Sequence, residues 1–469
     1  MFKQAVFTRY SAYIVGVSLA TLNVIMLTYY LDFNEFAVWG ISMSIVYIFS
    51  QLGQLTYVQY VDKYFPNMSI EDSKEKIYKF IKTIFLFSPL WLSILFLMEG
   101  LGYFDKFLIE NIYILFLLIT VLVILESNIE LISKYMLSLQ RTQSFDIYEF
   151  TLLKFLRTIV FFSLLFNGYS IYQLFFVSII LRSIFLLIVL KNIDKNIKVV
   201  LIKIFSSKAF ENNFEKIKYT SIAFIIKTLQ TTFLNVVFLI YSNFSESKEI
   251  ATYSLGILII NILRPVIATF SSLLTPKISI RAYNQKKSTN FLFLTSFLNT
   301  ALSSVFIFVS LTIFIFEKYI SEYFVDYEGH VLLVILLSIL SSTVTSIYQP
   351  VLLFVKFSDK EKILLYGVLA NYFFCLVFFI FLHLFNFDNP IIFYMLFEIC
   401  NLFVSSKIYK RTFRESKVYL ISYSYPISIF LVLGFFYSKP NILLSLFLIF
   451  IILYIDYLRF KKNKLTLDL

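Results

Sequence analysis

The sequence is poor in the residues from which most catalytic and metal sites are built. Its 469 positions hold two cysteines and two histidines, and only 15% of them are charged. Two histidines leave little material for a metal centre. No GxxxxGK[ST], HExxH, CxxC or GxSxG string occurs, so a P-loop, a zinc-protease helix, a dithiol centre and a nucleophile elbow all lack their residues, and no cofactor is expected. Cys375 and Cys400 each fall within an apolar run, which assigns them to packing rather than to a disulfide or a metal. Soluble domains carry about 25% charged residues. The shortfall here excludes an ordinary water-facing surface. Strict alternation over ~10-residue segments is also missing, which excludes an outer-membrane β-barrel.

What the chain has instead is apolar length. It is 59% hydrophobic and 20% aromatic, with a mean hydropathy of +0.81. A bilayer-spanning helix needs roughly 20 mostly apolar residues, with every backbone polar group satisfied within the helix. Such windows lie near 10–30, 37–60, 77–98, 111–133, 147–166, 172–190, 219–241, 251–273, 289–316, 330–354, 363–384, 390–406, 418–437 and 441–459. The expected fold is therefore an all-α polytopic membrane protein of about 14 helices. Met1–Arg9 precedes an apolar stretch too long for a signal-peptide core, so the first helix is expected to stay as an anchor. Trp39, Trp91 and the Tyr29–Tyr30 pair fall near span ends and are expected to be interfacial anchors.

The 41 lysines and arginines are distributed by side. Thirty-two crowd into the termini, every second gap and the span ends beside them, four occupy the other gaps and five lie deeper within spans. Short cytoplasmic loops retain Lys and Arg, so both termini are expected inside. The net charge of +12 then reflects topology and anionic headgroups rather than nucleic acid. The outer loops are all shorter than about 15 residues, too short for a water-soluble domain.

The longest gap, 191–218, carries Ile197, Val200, Leu201, Ile204 and Phe205 at helical spacing among Lys198, Lys203 and Lys208. This pattern predicts an amphipathic helix on the inner leaflet. It divides the chain into an N-terminal lobe (1–190), the connector (191–218), a C-terminal lobe (219–410) and two extra helices (411–469). An internal echo supports two lobes: "YYLDFNEFAVWGISMS" and "IYSNFSESKEIATYSLGI" each pass from an aromatic-ended helix through an acidic turn into a new span. Repeated halves are common in transporters.

The charges left inside the bilayer are the candidate site. Each costs roughly 2.5–3.5 kcal/mol at a helix centre, so each tends to face a partner or a watery cavity. The cations are Lys154, Arg157, Arg182, Lys227 and Arg264, and the acids are Glu126, Glu130 and Glu398. At 1.5 Å per residue, Lys227 and Arg264 lie roughly 12 and 13 Å from the cytoplasmic side, and Arg157 and Arg182 roughly 15 and 12 Å. Glu126 and Lys154, each about 10 Å deep, are expected to form a bridge, and Glu130 to reach Lys134 one turn on. That leaves Arg157, Arg182, Lys227 and Arg264 to line a cavity and grip a diphosphate or another anionic headgroup. Pro265 is a candidate hinge beside Arg264. Glu398, with Glu126, is a candidate for ion coupling.

Over nearly its whole length the span spacing resembles the Wzx-type flippases of the polysaccharide exporter family, in the multidrug/oligosaccharidyl-lipid/polysaccharide (MOP) superfamily. Locally the resemblance rests on "YYLDFNEFAVWGISMSIVYIFSQLGQL", with its Gly-containing stretch at Gln51–Leu55, and on "LLTPKIS" at Leu273–Ser279. The family's usual Arg or Lys at the end of the second helix is here Gln59, with Lys63 one turn on. The resemblance implies two six-helix lobes of MATE/MOP-like type around a central cavity, plus two C-terminal helices. It implies a polyprenyl-diphosphate-linked glycan (an O-antigen, capsule or exopolysaccharide unit of lipopolysaccharide-type assembly) moved from inner to outer leaflet of a bacterial inner membrane, coupled to an ion gradient. Its partners would be membrane lipids, a polysaccharide polymerase and chain-length machinery. Alternative readings are a multidrug exporter of the same superfamily, and a polytopic polymerase or glycosyltransferase. A drug exporter calls for carboxylates in its cavity, and the enzymes for a larger outer loop or an early acidic pair.

Overall fold

The computed structural model describes residues 2–104, 111–139, 147–194, 196–206, 214–263, parts of 331–342, 361–383 and 389–413, together with Glu322. No strand occurs among them. The first half comprises α1 (Phe2–Tyr30), α2 (Phe33–Gly53), the short α3 (Tyr57–Tyr64), α4 (Ile70–Leu86), α5 (Ser88–Gly100) and α6 (Ile112–Ser138). A π-helical turn (Tyr148–Leu153) leads into α7 (Lys154–Phe166), followed by α8 (Ile171–Ile193) and α9 (Ile197–Ser206). Then come α10 (Phe214–Ser242), a helix α11 over 247–263, α12 (Glu361–His383) and α13 (Pro390–Phe413).

Among the described residues, six helical segments are long and apolar enough to cross a bilayer: Phe33–Gly53, Ile70–Gly100, Ile112–Ser138, Ile171–Lys191, Thr220–Ser242 and Glu361–Leu382. Ile14–Tyr30 and Pro390–Asn401 are shorter apolar helices. The protein is thus a multi-pass helical membrane protein. The expected spans near 289–316, 418–437 and 441–459 lie outside the described residues.

Local chemistry sets the helix ends. Asp32 caps α2 by accepting the Glu35 N–H at 2.7 Å, and Ser69 caps α4 by accepting from Asp72 N at 3.1 Å; each satisfies an orphan donor of a first turn. The run expected near 37–60 is interrupted. Helix α2 stops at Gly53, and Leu55 adopts φ 50° before α3 begins, a left-handed conformation that a branched side chain adopts only under constraint from its surroundings. The run expected near 77–98 starts earlier, at Ile70, and breaks at Phe87, with Pro89 in the first turn of α5, where a missing N–H costs nothing.

Both tryptophans correct the sequence expectation. Trp39 is 1% exposed and packs between Phe161 and Phe175, at centroid distances of 5.9 and 4.6 Å. Trp91 is likewise buried, 5.1 Å from Phe49. Each faces a neighbouring helix rather than the headgroups, so both are core residues, and only Tyr29 and Tyr30 remain exposed. Within the connector, α9 forms as its periodicity predicts. Val200 and Ile204 are buried, while Leu201, Ile202 and Phe205 are exposed.

Helix α10 packs on α2 and α3, which precede it in the chain, and on α12 and α13, which follow it. Towards the ends of α2 and α10 where few lysines fall, the Tyr103 hydroxyl donates to Leu239 O at 2.8 Å and lies 2.8 Å from Ser242 Oγ. Close backbone approach seals this region further. A Cβ on Gly40 would fall 1.9 Å from Ser254 Oγ and 2.5 Å from Ser254 Cβ. Gly40→Ala is therefore expected to cost about 1–3 kcal/mol by overpacking, read as a lowered melting temperature in detergent. Adding Ser254→Gly should restore most of it; an unchanged melting temperature in Gly40→Ala would refute this packing.

Candidate functional site

Two charged clusters lie among the described helices. The first is inside the first half, where α2, α6, α7 and α8 meet. Arg182 Nε binds Glu126 Oε1 at 2.7 Å, and Arg182 Nη1 approaches Glu149 Oε1 at 3.6 Å. Lys154 donates to Gly16 O at 3.4 Å and lies within electrostatic range of both Glu149 and Glu126. Arg157 is different. Its guanidinium carbon sits 4.7 Å from the centre of the Phe161 ring, and its buried Nε has no hydrogen-bond partner.

Glu126, Lys154, Arg157 and Arg182 surround a cavity of about 50 Å³, closed by side chains that include Met43, Leu122 and Ser178. A water needs roughly 10–15 Å³ of such space, so the cavity has room for a few waters in this conformation and is far too small for a diphosphate with its sugar. Three cations stand against two carboxylates, counting Glu149, which leaves a formal surplus of one positive charge. The π-helical turn lies at its edge, between Glu149 and Lys154. Such turns are poorer in hydrogen-bond geometry and occur often at functional sites.

The second cluster joins the halves. Lys227 Nζ on α10 donates to Glu130 Oε1 on α6 at 2.6 Å and to Gln54 Oε1 at 2.9 Å. Gln51 Nε2 and Gln54 Nε2 donate to the other oxygen, Glu130 Oε2, at 2.9 and 2.5 Å. Gln54 is the residue at which α2 stops, so the left-handed Leu55 lies next to the ion pair.

Two expected pairings are thereby corrected. Glu126 is bound by Arg182 rather than bridged by Lys154 alone, because α8 presents its guanidinium directly to the carboxylate. Glu130 turns away from Lys134 towards α10, and Lys134 lies 3.6 Å from Asp62 instead. Arg182 and Lys227 are consequently neutralised in this conformation, whereas Arg157 feels Glu126 only at a distance and stacks on Phe161. Glu398 is 1% exposed within α13. Beside it, Asn371 Nδ2 donates to Asn401 Oδ1 at 3.1 Å. Arg264 and Pro265 lie outside the described residues. Sequence reasoning missed Glu149, Gln51 and Gln54 as site residues. Glu149 sits within the expected span near 147–166, and the glutamines interrupt an apolar run, which was the available signal.

This arrangement sits on a known fold. The chain is similar to the structure of the lipid II flippase MurJ in an inward closed conformation, with a TM-score of 0.58 and 13% identity over 98% of this chain and 99% of that one. It is similar to a eukaryotic MATE transporter, AtDTX14, with a TM-score of 0.54 and 12% identity over 90% of this chain and 97% of that one. The Vibrio cholerae MATE transporter VcmN gives 0.54 and 12% over 89% and 98%. No family model matches the sequence, and no curated protein matches it. The chain therefore has the polytopic helical fold that these transporters and MurJ share.

Proposed function

We propose that the protein is a flippase that carries a polyprenyl-diphosphate-linked glycan from the cytoplasmic to the outer leaflet of a bacterial inner membrane by alternating access. The observation that carries this reading is the surplus of positive charge around an enclosed cavity, with the buried Arg157 Nε lacking a hydrogen-bond partner at its wall. An anionic headgroup supplies the missing charge, and guanidinium groups suit phosphate oxygens. The likeness to a lipid II flippase over nearly the whole chain supports the same class of cargo. A drug exporter for cations fits less well, because its cavity would need surplus carboxylates.

On this reading the lysine-rich end of the bundle is cytoplasmic and the lobes are 1–190 and 219–410, with 191–218 as connector. Arg157, Lys227 and Arg264 contact the diphosphate, Arg182 is held in place by Glu126 and Glu149, and Pro265 is the hinge. Glu398 is the group proposed for ion coupling. An O-antigen or capsule unit is the proposed glycan, handed on to a polymerase with its chain-length machinery.

The test is reconstitution into vesicles bearing a polyprenyl-diphosphate oligosaccharide in both leaflets, with an added glycosidase reporting which molecules become accessible. The wild-type chain should expose the inner pool, and Lys227→Ala with Arg264→Ala should not. Vesicles containing the wild-type protein that behave like protein-free vesicles would refute the proposal.

A further inference from the structure

We infer that the Lys227–Glu130 pair is the gate at the lysine-rich end of the bundle, opened when an anionic headgroup takes the place of Glu130 on Lys227. The inference rests on the flippase reading for the identity of the anion, but the gate itself follows from geometry. Glu130 and Gln54 belong to helices of the first half, and Lys227 belongs to the helix that starts the second. Any motion that opens this end between α6 and α10 must break both hydrogen bonds of Lys227.

The two partners then face unequal situations. Glu130 keeps Gln51 and Gln54, which travel with it on α2. It also gains Lys134, one turn further along α6, which is now only loosely engaged by Asp62 at 3.6 Å. The carboxylate therefore has a replacement cation within its own half. Lys227 has no carboxylate of its own helix to turn to: both of its hydrogen bonds cross the interface, and the residues four positions away on α10 are Ala223 and Thr231. Lys227 is only 20% exposed, and a largely enclosed cation stripped of its acid is unfavourable, so an anion at Lys227 favours the open state. Opening in the absence of cargo is thereby suppressed. The break at Leu55 follows Gln54 directly, so α3 can bend away from α2 at the level of the latch while Gln54 stays with Glu130.

Gln230 makes a reporter. It lies three residues beyond Lys227 on α10, is buried, and its Nε2 has no partner. In a Gln230→Cys chain that also carries Cys375→Ala and Cys400→Ala, a membrane-impermeant maleimide applied to the lysine-rich side measures opening. Sodium pyrophosphate is the probe, against sodium chloride at equal ionic strength. Labelling should be slow in chloride and rise at least about fivefold in pyrophosphate, the low end of ordinary coupling between sites. Glu130→Gln should label fast in either salt, and so should Lys227→Gln. The charge swap Lys227→Glu with Glu130→Lys should restore slow labelling. If Glu130→Gln labels at the parent rate, or the swap labels as fast as the single variants, the gate is overturned. If the swap behaves as expected but pyrophosphate does no more than chloride, exchange by the headgroup is overturned. Failure of glycolipid transport with a pyrophosphate-sensitive gate intact would instead sink the flippase reading alone, because labelling does not require transport.

Discussion

Arg182→Ala is expected to remove about 3–5 kcal/mol of stability, the usual cost of stripping one partner from a buried ion pair. Glu126 and Glu149 both lose their shared guanidinium, and their side chains are only 28% and 15% exposed. Water therefore cannot solvate them fully, and Lys154, which donates to Gly16 O at 3.4 Å, is a point charge without Arg182's fork. The expected readout is a sharp fall in monodisperse protein after detergent extraction and a lowered melting temperature. Arg182→Met combined with Glu126→Gln and Glu149→Gln should recover most of that stability, since replacing a whole buried ionic group by neutral ones is often nearly neutral. Arg182→Lys should fall between, because a lysine keeps the charge but cannot reach both carboxylates with a planar fork. A wild-type melting temperature in Arg182→Ala would show that the cluster is hydrated and that the ion pairs contribute little.

The fold was legible in the sequence because membrane insertion leaves little freedom. Runs of about 20 apolar residues have to be helices, and those near 111–133, 172–190 and 363–384 correspond to α6, α8 and α12. Interruptions of these runs were harder to see. Nothing in "SQLGQLTYV" announces that Leu55 takes a left-handed conformation, because that choice is imposed by packing of α3 and α10 rather than by local propensity. The Trp39 and Trp91 expectation failed for a related reason: nearness to a span end says how deep a residue lies, but not which way it faces.

Of the candidate site, the charged residues were legible and their pairing was not. A charge inside an apolar run is visible in one dimension, and its cost marks it as purposeful. Which acid neutralises which base depends on rotation of each helix about its axis. Glu130 and Lys134 share a helical face by spacing, yet the carboxylate is drawn across to α10, where Lys227 and two glutamines satisfy both of its oxygens. Glu149 escaped notice because it lies within the π-helical turn Tyr148–Leu153 that leads into α7, and an α-helical reading of that segment assigns its side chains to different faces.

Arg157→Gln is expected to have the opposite profile from Arg182→Ala: normal or improved stability with transport reduced roughly ten- to hundredfold, the equivalent of one lost charge-assisted hydrogen bond. The reasoning starts from what Arg157 lacks. Its buried Nε donates to nothing, and its one described contact is the face of Phe161, a contact worth about 0.5–2 kcal/mol. Removing it orphans no carboxylate. It also relieves crowding among Lys154, Arg157 and Arg182, three like charges around one small cavity. A group that opposes folding and is held beside an opening is expected to be retained for what it binds. The combination of a preserved melting temperature and lost glycolipid transport separates binding from structure in a way that no variant of a paired residue can. Arg157→Lys should keep part of the activity, because the charge remains while the second donor of the fork is lost. If Arg157→Gln transports at the wild-type rate, the surplus charge has no part in cargo recognition, and the headgroup must be sought at Lys227 and Arg264 instead.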